Sequence, residues 1–441
     1  MSSLNGILRT TELKNRILFT LMLLAVYRVG VMIPTPGIDR SAVMSFFQSQ
    51  SSGIFGLFNT FSGGALSQFS IFALGIMPYI SSSIIFQLLS TAIPYLDALR
   101  KEGEQGRKKI NQYTRYATVV LALIQGTAIS NWLLNSSSPD GKPLVVSMSV
   151  GILSFQIMTV LTLTAGTCFI MWLGEQITER GIGNGTSLII FSGISASIPG
   201  GAQKLFSLVD SDELSVVYAF LVLAVMVAVV YAVIYIEVAQ RKIPIQYSQK
   251  VAAGKGGLQS PMSHLPIKVN FSGVIPPIFA SSLLMFPATV TQFVKAPWLQ
   301  SIQEALNPNG SIYNILFVSL IVFFCFFYTE IVFNAKEVAE NLKKFAGFVP
   351  GVRSGQSTAE FIQTVIDRVN VGGAIYLSVI CVLPGILNNF LKVPFYFGGT
   401  SLLILVGVAL DTTQQIQSYL FNHKYDGLIK GAKIKSRRVQ Y

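Results

Sequence analysis

The chain reads as an all-α membrane protein: ten transmembrane helices in two inverted-topology five-helix halves around a central pore, with a re-entrant plug helix. Three observations predict this. Of 441 residues, 51% are hydrophobic and 12% charged, with mean hydropathy +0.57; that composition belongs to polytopic membrane proteins. Apolar runs recur along the whole length, and no polar stretch is long enough to build its own core. Two glycine-led openings each occur twice, five spans apart.

Residues 1–16 are polar, an N-terminal segment able to lie flat on the membrane. Spans are predicted near 17–34, 75–94, 116–134, 152–172 and 184–200, forming a first half at 17–200. A second half at 201–416 carries spans near 214–236, 271–290, 312–333, 371–389 and 395–416, followed by a basic tail at 417–441. A crossing helix needs roughly 20 apolar residues. No small-residue cleavage pattern follows the first apolar run, so no removable signal is expected.

The stretch 53–94 is too long for one crossing and is broken at Ser62-Gly63-Gly64 and at Gly75-Ile76-Met77-Pro78. Glycine and proline interrupt helices. The expectation is a half-helix from about Phe58 to Ser70, then a joint, then the second span. Broken backbone at membrane depth survives only where protein buries it or a cavity receives it, so this segment should face the middle of the molecule. Phe61, Ser62, Gly63, Gly64, Ala65 and Leu66 would form a movable stopper. Its small side chains imply few large contacts, so displacement should cost little. A static re-entrant loop is the alternative.

Lysine and arginine set the orientation. Of the 32, all but Arg28, Arg40, Lys142, Lys204, Lys295 and Lys392 fall on one side of the predicted spans. That side, and both termini, should be cytoplasmic.

The repeat is read from the span openings. Gly75-Ile76-Met77-Pro78 opens span two and Gly273-Val274-Ile275-Pro276 opens span seven. Gly185-Thr186-Ser187-Leu188 opens span five and Gly399-Thr400-Ser401-Leu402 opens span ten. An offset of five spans reverses the direction of entry into the bilayer, and matched glycine- or proline-broken segments point to the functional site. Gly75, Pro78, Gly273 and Pro276 are the expected helix breaks. Ile80 then matches Ile278, and Ile190 matches Ile404, several residues inside their spans. With Ile84 and Thr186 one turn away, they would close a pore by excluding water. The alternative is that each faces lipid or packs against a neighbouring helix.

Arg28 lies near mid-span in the first helix and either faces the interior or snorkels to the interface; it is assigned no role. Glu175, Glu237, Glu330 and Asp411 fall near the cytoplasmic span ends. The lack of a midplane carboxylate weakens the rival reading, an inverted-repeat secondary transporter of a small solute.

Two long cytoplasmic loops, at about 237–270 and 334–371, read as docking sites. The first alternates as a strand or hairpin through Arg241-Lys242-Ile243-Pro244-Ile245 and continues to Lys250; the second carries Arg353. Basic side chains here suit an acidic protein or the phosphates of RNA; ordinary positive-inside loops explain the charge but not the length.

Enzyme chemistry is poorly supported. His264 and His423 lie outside the spans, and no zinc-binding H-E-x-x-H or phosphate-binding P-loop is present. No catalytic residue, cofactor or metal ligand is expected. Cys168, Cys325 and Cys381 sit in apolar runs as small packing residues. An intramembrane hydrolase using Ser62 is a distant third reading, which Ser62→Ala would test by loss of cleavage.

Long strings carry a family resemblance: FSGGALSQFSIFALGIMPYISSSII at 61–85, WLGEQITERGIGNGTS at 172–187, QRKIPIQY at 240–247, GVIPPIFASSLLMFPAT at 273–289, FCFFYTEIVFN at 324–334, GFVPGVRSG at 347–355 and VPFYFGGTSLLI at 393–404. The chain resembles, along nearly its whole length, the SecY family of channel-forming subunits of the bacterial protein translocase. The resemblance implies a channel in the bacterial inner membrane that passes signal-sequence-bearing polypeptides. It implies a lateral gate between spans two and three and spans seven and eight, through which apolar segments reach membrane lipids. It implies that the segment at about 58–72 is the plug, and by motif match it places ring positions on Ile80, Ile84, Thr186, Ile190, Ile278 and Ile404, with Thr186 departing from the usual aliphatic residue. It also implies SecE and SecG as companion subunits. Arg353 would support docking of the SecA ATPase, and the Arg241–Lys242 loop would meet SecA or the ribosome, ribosomal RNA included.

Overall fold

The computed structural model describes residues 11–49, 56, 59, 62–136, 141, 143–145, 151–211, 215–247, 263–293, 310–391 and 399–431. Each predicted span falls on a helix. In order these are α1 (Thr11–Val31), α3 (Met77–Ala92), α5 (Glu104–Asn135), α6 (Ile152–Arg180), α7 (Gly185–Asp210), α8 (Val216–Val238), α9 (Ile275–Phe293), α10 (Ser311–Val332), α12 (Gln356–Leu391) and α13 (Gly399–Gly431). Shorter helices are α2 (Arg40–Ser49), α4 (Pro94–Lys101) and α11 (Ala335–Lys344). Among the described residues, five helices are long and apolar enough to cross a membrane by themselves; α3 and α4, bent by 99° at Ile93, make a sixth if taken as one span.

The helix starts follow the glycine and proline pattern. Gly75 takes φ +57° and α3 begins two residues later with Pro78 in its first turn. Gly273 takes φ +64° and α9 begins two residues later with Pro276 in second place. Glycine alone adopts such φ without strain, and a first-turn proline loses no helical hydrogen bond. The other pair matches too. A Cβ at Gly185 would run into the backbone of Gly174 on α6, and one at Gly399 into the backbone of Ile380 and Cys381 on α12. Each of these glycines lets a helix begin pressed against the span before it.

Contacts divide the chain into two compact units. One comprises Met1–Ser51, Phe58–Ser197 and Val408–Tyr441; the other comprises Ser52–Leu57 and Ile198–Gly407. In the first unit, small residues allow α5 and α6 to approach closely: Ala122 and Thr118 are fully buried, and Gly126 faces Val160. The Arg115 Nε to Glu175 Oε1 pair, 2.6 Å, joins these helices at their polar ends. The turn at 181–184 is tied down from two sides. Ile182 N donates to Thr20 Oγ1 of α1 at 3.0 Å, and Gly183 N to Gln415 Oε1 of α13 at 2.9 Å.

The second unit carries a small sheet outside the spans. β1 (Gln240–Tyr247) pairs antiparallel with β2 (Ser263–Lys268) and with β3 (Gly347–Phe348), giving the order β2-β1-β3. The predicted alternation holds from Lys242 to Ile245: Ile243 and Ile245 are buried, Lys242 and Pro244 exposed. Ile243 and Ile267 join Ala335, Val349, Ile362 and Ile366 in one core. The two long loops, read separately in the sequence, therefore fold as one body. Ile362→Ala should cost about 2–5 kcal/mol of its stability; limited proteolysis should cut β1 to β3 faster while leaving the spans intact.

Candidate pore, plug and docking face

The segment expected to be the plug departs from a helix. Gly56 and Asn59 are helical, while Ser62 to Ile76 form consecutive turns around one bridge at Ser70; Phe61 lies outside the described residues. The reason is backbone sign. Gly63, Gly64 and Phe69 take φ +66°, +87° and +41°, which no right-handed helix accommodates. Turn hydrogen bonds replace the helical ladder: Gly64 N to Asn59 O at 2.8 Å, Ser70 N to Ala65 O at 2.9 Å and Gly75 N to Phe72 O at 2.8 Å.

Nor is the segment loosely held, contrary to the expectation from its small residues. Ser62, Ala65, Leu66, Phe69 and Phe72 are all buried. Phe72 stacks between Tyr27 and Phe169, with ring centroids at 5.9 and 6.0 Å. It fills space left by Gly30, where a Cβ would collide with its ring. Tyr27 Oη donates to the Ser62 carbonyl at 3.1 Å. Arg28, given no role by sequence, donates through Nη1 to the Gly63 carbonyl at 3.0 Å. Its Nη2 reaches the carbonyls of Ser192 and Gly193 on α7 at 2.8 and 3.4 Å. The signal that could have found it is the charge itself, since an ionised side chain within a span is functional by default.

The expected ring positions sit at equivalent places on their helices. Ile80 lies three residues into α3 and Ile278 three into α9; Ile190 lies five into α7 and Ile404 five into α13. All four are buried, as is Ile84, while neighbouring Ile85 is 43% exposed. Ile80, Ile84 and Ile190 belong to the first compact unit, Ile278 and Ile404 to the second. Thr186 is differently engaged. Its hydroxyl and backbone N both donate to Asn184 Oδ1, at 2.7 and 3.1 Å, in the cap of α7. Its polarity is thus spent locally.

Arg241, Lys242 and Arg353 are exposed on the sheet body, while Lys250 lies outside the described residues. The hydroxyl of Thr358, at the start of α12, donates to the Arg353 carbonyl at 2.9 Å, fixing the backbone from which that guanidinium projects.

A family model described as SecY matches residues 70–413. The chain belongs to the SecY family. The protein translocase subunit SecY of Escherichia coli (strain K12) is 46% identical over 428 residues, covering 96% of this chain and 95% of that one. That of Rickettsia felis is 47% identical over 431 residues, 96% and 98% of the two chains. Among solved structures, a protein-conducting channel aligns over 93% of both chains with TM-score 0.68 at 16% identity. A SecY whose plug domain is reported to stabilise the closed state and maintain a membrane seal gives 0.67, and Sec61 in a canine ribosome–channel complex gives 0.66, at the same coverage and identity. At that identity the structures establish the fold. This SecY-family chain is a multi-pass membrane protein and a subunit of a protein-conducting channel, not an enzyme.

Proposed function

We propose that the chain forms the conduit by which unfolded secretory polypeptides cross the bacterial inner membrane, with both termini cytoplasmic. Residues 17–200 and 201–416 act as the two halves. Ile80, Ile84, Ile190, Ile278 and Ile404 close the waist, with Thr186 at its polar lip. The observation that carries this is the matched pair of helix starts. Gly75 with Pro78 and Gly273 with Pro276 set the register of one pair of isoleucines, and Gly185 and Gly399 set the other. Two equivalent half-sites are what a shared waist requires. The segment at 58–72 is the plug on the outer side. Apolar segments leave sideways between spans two and three and spans seven and eight.

Arg241, Lys242, Lys250 and Arg353 make the docking face for the SecA motor or the ribosome. The exposure of Arg241, Lys242 and Arg353 on one folded body supports this. SecE and SecG complete the membrane complex. Nucleotide hydrolysis or chain synthesis by the docked partner supplies the work.

Reconstituted vesicles test the reading against the transporter alternative. With the motor and ATP, a signal-bearing polypeptide should become protected from external protease, while a labelled small solute shows no stoichiometric, gradient-coupled uptake. Coupled solute uptake without polypeptide entry would overturn it.

A further inference from the structure

We infer that Arg28 is the positioning residue of the resting seal: its guanidinium latches the plug turn at Ser62-Gly63 to the α7 backbone. The inference rests on reading this segment as the plug. Three observations meet at one place. The half-buried Arg28 fork spans two elements, with Nη1 on the Gly63 carbonyl and Nη2 on the carbonyls of Ser192 and Gly193. Beside it, a Cβ on Gly63 would stand 2.5 Å from Gly193 Cα, so the two glycines let the plug turn lie directly on α7. Next in sequence, fully buried Tyr27 donates to the Ser62 carbonyl. Ser192 and Gly193 follow Ile190 by two and three residues, so the latch grips the helix that carries a waist isoleucine.

The chemistry favours a latch over a static tie. Among the described residues no carboxylate lies within ion-pair distance of Arg28; the cation is neutralised only by carbonyl dipoles. When the plug leaves, Arg28 keeps its α7 acceptors and loses Gly63. Water then takes the place of the Gly63 carbonyl on Nη1. Return of the plug restores a charge-assisted hydrogen bond in a drier site, which favours the closed position once the passage empties. A planar fork suits this: a lysine ammonium carries three rotatable donors on a flexible stem and holds two backbones in a less fixed geometry.

The test is the KCl conductance of planar bilayers holding the full chain, without a translocating polypeptide. Arg28→Gln should raise resting conductance by about tenfold or more, the scale of a lost charge-assisted hydrogen bond, with polypeptide transport retained. Arg28→Lys, which keeps the charge and so guards against misfolding, should leak to an intermediate degree; parental tightness in both variants overturns the latch. Gly63→Val, whose branched Cβ has no room against Gly193, separates the layers. If it leaks while the Arg28 variants do not, the plug stands and the latch falls. If neither leaks, the plug reading itself fails. In the double variant Arg28→Gln/Gly63→Val the leaks should not add; full additivity means Arg28 acts by another route, and the latch is rejected.

Discussion

Replacing Ile80, Ile190, Ile278 and Ile404 together by glycine should leave a channel that conducts ions at rest, with conductance raised by about tenfold or more. An apolar constriction holds water back by dewetting, and removing its side chains removes the barrier; each 1.4 kcal/mol lost is a factor of about ten. Glycine also weakens each helix interior, by about 1 kcal/mol relative to alanine. The fourfold serine variant, which wets the waist without shortening it so far, is the companion measurement. Both should leak while thermal unfolding stays cooperative. Unchanged conductance in both, with insertion intact, would mean that these side chains do not close the passage.

The second large effect concerns the docking face. Arg353→Glu should reduce motor-driven polypeptide transport by about tenfold or more, since reversing a charge at a desolvated contact costs several kcal/mol. Arg241→Glu with Lys242→Glu should act in the same direction. Because Arg241, Lys242 and Arg353 are exposed and their backbones lie on a body held by Ile243, Ile267 and Ile362, the reversals should not alter resistance to protease. Weaker binding of the motor with unchanged bilayer insertion is the expected pattern. Normal transport at normal expression would remove these residues from the docking face.

What the sequence could and could not reveal follows from what each feature depends on. Helices such as Val216–Val238 stand out by hydropathy alone. The starts of α3, α7, α9 and α13 are legible instead through paired glycines and prolines, because those residues answer a local backbone demand. The joining of the two loops was not legible: β1 meets β3 through Gln246–Phe348 and Tyr247–Gly347, partners far apart in sequence with no local signal. The course of the turns at Ser62 to Ile76 is hidden from the sequence for a related reason. Glycines at 63 and 64 announce a break, but only the structure gives the sign of φ there and at Phe69. Arg28 was visible as a charge in an apolar run, yet its partners are backbone carbonyls, which every residue carries and no sequence distinguishes.

A photo-reactive cross-linker placed in turn at positions 80, 190, 278 and 404, with a polypeptide arrested midway through transport, asks whether both halves wall the same passage. All four positions should cross-link to the arrested chain. Cross-links to lipid alone, or to the polypeptide from positions 80 and 190 but never from 278 and 404, would contradict a shared waist.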